Sequence, residues 1–269
     1  MKLLILSGIS SALLLYGMVM VYGLTGSTML VEISSQLGAL GAAEGQPFGS
    51  YALMFGIVLM IAGFGFKIAA VPFQMWAPDV YEGSPTPITA FLSVASKAAG
   101  FAVILRVFYI AFTVDTLAID IEWAAIFAVL AALSMTIGNL VAIPQNNIKR
   151  MLAYSSVAQI GYIVLGISFA SVIGLTGGIV HLFNHALMKG GLFLVVACVV
   201  HSIGSSKVND WRGLGRRMPI TMAAFVVGGF GLIGVPTTVG FVSKWYLVLG
   251  ALEQGRFLVA FLVLLGSLL

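Results

Sequence analysis

Apolar runs long enough to cross a lipid bilayer, joined by short polar turns, leave this chain very few possible folds. The runs cover residues 3–24, 51–77, 86–113, 123–143, 152–172, 174–202, 219–249 and 257 onward. About 20 residues of α-helix cross the ~30 Å hydrocarbon layer, where only helices and closed barrels satisfy their own backbone. With 60% hydrophobic and 8% charged residues, the sequence has too little polar surface to coat a water-soluble core. It predicts an all-α, polytopic transmembrane helix bundle of eight spans, a single domain over 1–269. The 32 glycines suit close helix approach in lipid. Residues 1–24 are read as a span, being too long an apolar region for a secretory signal and lacking a small-residue cleavage site. Apolar sequence runs up to both termini, so the domain is expected to be incomplete at both ends.

Charge sets the orientation. Lys149 and Arg150 fall in one turn, and Lys207, Arg212, Arg216 and Arg217 in another two spans away. The two turns share a side, cytoplasmic by the positive-inside rule. Counting back puts the Met1 end inside, in the inner (plasma) membrane. The acidic loops 25–50, with Glu32 and Glu44, and 114–122, with Asp115, Asp120 and Glu122, then lie outside. The basic residues are topogenic or buried, which argues against nucleic-acid binding. A lone Cys198 excludes a disulfide framework, and no Cys/His spacing suits a haem, cluster or metal site, so no cofactor is expected in this chain.

Inside the runs stand Lys67, Lys97, Lys189 and Lys244. A charge at the bilayer centre costs roughly 2.5–3.5 kcal/mol, so such residues point to function. His181, His185 and Lys189 recur every fourth residue in HLFNHALMKGGLF. Each step of four turns about 40° on a helix, which gives a slowly drifting stripe of titratable groups ~6 Å apart. The stripe fits a water-bridged proton relay better than a metal site, because its third member is a lysine with no carboxylate or thiolate beside it. Pro72 and Pro236 interrupt two runs near Lys67 and Lys244, and GVPTTVG reads as an unwound segment of the kind that lines ion sites. The loop at 77–87, APDVYEGSPTP, is either a rigid turn or part of the conduction path. The polar residues Asn139, Gln145, Asn146, Asn147, Ser155, Ser156 and Gln159 either hold water or bond helices together. No acid lies within a run to pair with the lysines.

GFKIAAVPFQMWAPDVYEGSPTP, FLSVASKAAGFAVILRVF and NNIKRMLAYSSVAQIGYIVLG resemble the antiporter-like membrane subunits of respiratory complex I, the proton-translocating NADH:quinone oxidoreductase, of the subunit N or subunit 2 type. HLFNHALMKGGLFL and HSIGSS with GLGRRMP resemble more strongly the larger antiporter-like subunits and the D-type member of multisubunit Na+/H+ antiporters. The resemblance implies an inverted-repeat fold with two broken helices and a proton-translocating role within a multisubunit complex whose other subunits bind NADH and quinone. It implies that Lys67 is the first-bundle lysine, Lys97 the connecting lysine and Lys244 the lysine of the second broken helix. It places the family's first-bundle glutamate, the partner of Lys67, before Met1. The alternative is an ion-translocating antiporter subunit with no redox partner. A third reading, from another class, is a passive scaffold whose lysines are locked in structural pairs.

Overall fold

The two proline-bearing spans are each cut into two helices in the computed structural model, which describes residues 2–42, 47–113 and 123–269. One cut separates α3 (Pro47–Ile68) from α4 (Trp76–Gly83), and the other separates α10 (Pro219–Ile233) from α11 (Val239–Glu253). Proline lacks a donor and clashes with the preceding turn, so neither span continues as one helix. Each cut also holds a non-glycine residue in the left-handed region, Ala69 (φ 59°) and Thr237 (φ 81°). The remaining helices are α1 (Lys2–Thr25), α2 (Leu30–Ala42), α5 (Thr86–Ala111), α6 (Trp123–Ala142), α7 (Ile148–Ser168), α8 (Val172–Ile203), the short α9 (Leu214–Arg217) and α12 (Phe257–Leu268). Six helices among the described residues are long and apolar enough to cross a membrane.

Two sequence expectations shift. The helix of the second run stops at Ile68 rather than 77, and most of the segment 77–87, read as loop, is helical, in α4 and the start of α5, with only Ser84 and Pro85 between them. Within the acidic 25–50 connection lies a short helix, α2, which buries Ile33 and Leu37 four residues apart. Glu44 and the acidic turn with Asp115, Asp120 and Glu122 lie outside the described residues.

The chain divides into two compact units. The first comprises residues 1–68 and 99–123. Its α1 and α3 touch backbone to backbone: a Cβ on Gly17 would lie 2.6 Å from the Gly56 carbonyl oxygen, and Ser10 donates to the Gly63 carbonyl at 3.0 Å. Phe64, Phe108, Phe112 and Trp123 pack at tilted to near-perpendicular angles in its core.

The second unit comprises residues 69–98 and 124–269. It wraps around α7, whose Val157, Ala158, Ile160 and Tyr162 are fully buried. Helices α4, α8 and α11 pack on α7, while α10 packs on α8 and α12 on α11. Asn147 caps α7, its side chain accepting from the Lys149 amide. One isolated bridge pairs Asn147 with Lys207, so the connector after α8 is tied to the start of α7.

Helices α10 and α11 meet across the cut so closely that a Cβ on Gly240 would fall 1.8 Å from the Gly231 carbonyl oxygen. No side chain fits there without moving a backbone. Gly240→Ala in the full-length protein is therefore expected to destabilise it by about 1–3 kcal/mol, the usual range for overpacking. Heat unfolding of detergent-solubilised protein checks this, and an unchanged midpoint would mean that the two half-helices do not meet as described.

Candidate functional site

Broken helices leave carbonyls without partners. The last four C=O groups of any helix lack an intrahelical donor, and the aligned peptide dipoles place partial negative charge there. At the end of α10 this need is met by Lys244, six residues into α11, whose Nζ donates to the carbonyls of Leu232 and Ile233, both at 2.9 Å. The same ammonium lies 4.7 Å from the centre of the Tyr162 ring. Lys244 thus sits at the break of the second broken helix and is buried.

A polar chain leads from this lysine to α8. Gln159 on α7 donates to the Leu232 carbonyl at 3.4 Å and, through Oε1, faces His181 Nε2 at 3.0 Å. The other ring nitrogen of His181, Nδ1, lies 2.8 Å from Ser243 Oγ, and Ser243 also donates to the Gly240 carbonyl at 3.1 Å. With Oε1 assigned as the acceptor, Nε2 carries the proton. The His181 ring packs on Tyr162, 5.4 Å between centres. Lys244, Gln159, His181 and Ser243 therefore form one connected site on α7, α8, α10 and α11.

The stripe on α8 is buried along its length, with His181, His185 and Lys189 no more than 2% exposed. Lys189 Nζ donates to the Leu152 carbonyl on α7 at 2.9 Å. Among the described residues His185 has no hydrogen-bond partner at either ring nitrogen, and Lys97 Nζ, also buried, has none either. His185 lies within electrostatic reach of Lys189, Lys97 and His181, and Lys189 within reach of Lys97. Val94 on α5 approaches Gly190 on α8, which brings Lys97, one turn further along α5, to this stripe. Among the described residues no three His, Cys, Asp or Glu side chains come together as a metal site would need.

Lys67 departs from expectation. It lies in the last turn of α3, beside the first break as foreseen, yet its side chain is exposed rather than buried. Sequence reasoning placed Gln159 only among general polar surface and overlooked Ser243 and Tyr162. Signals existed: Ser243 precedes Lys244, and Tyr162 follows Gln159 by three, which is the same helix face.

The APDVYEGSPTP segment resolves into a clamp. Arg150 bridges Asp79 (2.9 Å) and Glu82 (3.0 Å) of α4. Asn147 donates to Glu82 at 2.9 Å, and Lys149 Nζ to the Ser84 carbonyl at 3.1 Å. The first turn of α7 thereby holds the second half of the first broken helix.

Comparison with known proteins places this geometry. The family model described as NADH:quinone oxidoreductase/Mrp antiporter, transmembrane, matches residues 1–269. The chain is 46% identical to NADH-quinone oxidoreductase subunit N of Desulforamulus reducens over 96% of its own length and 52% of that protein. Among solved structures it resembles a chain of respiratory complex I from Thermus thermophilus, with a TM-score of 0.78 and 33% identity, covering 99% of this chain and 55% of that one. It also resembles a chain of the Mrp complex from Dietzia sp., with a TM-score of 0.86 and 27% identity, covering 98% and 46%. The chain thus spans about half the length of the relatives it matches.

The clamp makes a simple energetic prediction. Its ions are 32–40% exposed, where pairs contribute at most about 1 kcal/mol each. A double-mutant cycle of Arg150→Ala and Glu82→Gln in the full-length protein should give a coupling of about 0.5–1 kcal/mol that shrinks in high salt. Zero coupling at low salt would show that the pair does not form.

Proposed function

Because this chain belongs to the NADH:quinone oxidoreductase/Mrp antiporter transmembrane family, we propose that it is a proton-translocating membrane-arm subunit of a proton-pumping NADH:quinone oxidoreductase. The observation that carries this reading is the buried series Lys97, His185, Lys189, His181 and Lys244, the last two joined through Gln159 and the Leu232 carbonyl. The protein is a multi-pass membrane protein, and the reading takes 1–269 as one antiporter-like domain with its Met1 end cytoplasmic. NADH and quinone bind other subunits, and this chain contributes no redox chemistry.

Each station has a physical role. Lys244 as an ammonium is held by the carbonyl end of α10 and the face of Tyr162. Lys189 is held by one carbonyl of α7. Buried polar atoms without protein partners are met by ordered water, so the unbonded His185 nitrogens and Lys97 amine are places where water joins the stations. Like charges repel strongly in a low-dielectric interior, so a proton on Lys97 disfavours a second on Lys189 and drives it onward. Among the described residues no acid faces these lysines from within a span. The exposed Lys67, which hydrocarbon would not tolerate alone, takes its counter-charge from another segment or a neighbouring subunit.

A second reading, an ion-translocating subunit of a multisubunit Na+/H+ antiporter, is favoured by the likeness to the Mrp complex. The two separate cleanly. In the assembled complex containing the full-length protein, Lys67→Met, Lys97→Met and Lys244→Met should each lower proton translocation about tenfold, equivalent to 1.4 kcal/mol of barrier, in membrane vesicles respiring on NADH. Translocation is read with a pH-sensitive dye, and complex assembly is checked by native electrophoresis. Unchanged translocation in all three overturns the assignment. Na+ efflux driven by a pH gradient alone, with no response to NADH, selects the antiporter.

A further inference from the structure

The buried lysines are not held alike. Lys244 has two carbonyls and an aromatic ring, and Lys189 has one carbonyl. Lys97 is 1% exposed and its Nζ has no hydrogen-bond partner among the described residues. Its neighbours on α8, Lys189 and His185, can only repel an ammonium when they are protonated. The attractive feature beside it is the ring of Tyr81, whose centre lies 5.5 Å from Nζ. A cation over an aromatic face is attracted by the ring quadrupole.

The ring is itself fixed on all sides. Tyr81 is fully buried and packs nearly perpendicular to Trp76 (6.2 Å between centres, 81° between planes) and Phe193 (5.7 Å, 83°). Its hydroxyl donates to the Leu92 carbonyl at 3.4 Å, and its own carbonyl accepts from Thr89 Oγ1 at 3.2 Å. Helix α4, which carries it, is pinned on α7 by Arg150 through Asp79 and Glu82, two residues before and one after Tyr81. The clamp therefore decides where the aromatic face stands.

We propose that Tyr81 is a positioning residue for Lys97, its ring face taking the place a carboxylate would otherwise hold, so that the set of α4 against α7 governs how well Lys97 keeps a proton. This rests on the proton-translocating role proposed above and adds to it a partner for the lysine that hydrogen bonding leaves alone. It also gives the acidic residues of α4 a purpose in the relay without contact with the proton. The Arg150 clamp and the Tyr81 face act in series: the first holds the helix, the second holds the charge.

Two measurements test it, both on the full-length protein. In respiring vesicles with the assembled complex, Tyr81→Leu should lower the proton translocation rate about tenfold, and Tyr81→Phe should restore most of it. Singly, doubly and triply fluorinated phenylalanine at the same position drains the ring face stepwise without changing its shape, and should lower the rate stepwise. A rate independent of fluorine number overturns the proposal, because packing alone would be blind to it. Independently of any transport, magnetic resonance of lysine-labelled protein in bilayers reads the ring directly. The Lys97 side-chain resonance, identified by its loss in Lys97→Met, should carry an upfield ring-current shift in the parent and Tyr81→Phe and lose it in Tyr81→Leu. An unmoved resonance overturns the proposal even if transport is seen. If the shift is lost as expected but the parent moves no protons, the contact stands and the translocating role falls.

Discussion

The break in the 219–253 helix and the lysine beside it depend on each other, and much of the second unit is arranged around that dependence. Hydrocarbon offers no hydrogen bonds, so the freed carbonyls of Leu232 and Ile233 would cost several kcal/mol if left alone. An isolated ammonium would be at least as costly in the same place. Put together, each removes the other's penalty. The close seat of Gly240 on Gly231 brings α11 near enough for Lys244 to reach back to the end of α10. Gln159 and Tyr162, three apart on the deeply enclosed α7, then complete the polar and aromatic walls of the seat.

The first break solves the same backbone problem with different means. The amide of Val71 is taken up by Ser134 of α6 at 2.9 Å, and the far half-helix is fixed by ions at its exposed end rather than by an ammonium at its centre. Lys67 stays in the last turn of α3, where the dipole favours a cation, but turns its side chain outward. In the interior, backbone groups and single lysines are matched with each other or with hydroxyls, and the Arg150 ion pairs stand where water can share their solvation. That division follows from desolvation costs, which rise steeply for charges and only modestly for hydrogen-bonded amides and hydroxyls.

Much of this was legible in the residues. Apolar run lengths gave the helices, and Pro72 and Pro236 marked both cuts, because hydrophobicity and a missing donor are local properties. The four-residue spacing of His181, His185 and Lys189 gave their common burial for the same reason. What was not legible depends on contacts between distant segments. PDVYEG reads as a turn by its charges and prolines, yet Arg150, about 70 residues on, neutralises Asp79 and Glu82 and lets the segment be helical. The exposure of Lys67 could not be read either, since α3 is apolar around its circumference and the pattern names no face. Backbone carbonyls, the partners of Lys189 and Lys244, are invisible to any reading of side chains.

The bonding of His181 has a kinetic consequence. Gln159 Oε1 accepts from Nε2, and the single hydroxyl proton of Ser243 is divided between Nδ1 and the Gly240 carbonyl. Reversing the sense of this little chain asks for the ring proton to leave Nε2 and another to arrive at Nδ1, for the hydroxyl to rotate and for the amide to turn over and give up the Leu232 carbonyl; the rotations take picoseconds to nanoseconds where side chains are free and longer where they are packed. Releasing Lys244 asks for two carbonyl bonds and a ring contact to be given up together. Rearranging the bonds of the histidine is thus a matter of single side chains, while freeing the lysine breaks three contacts at once, and the slower of the two clocks belongs to the lysine.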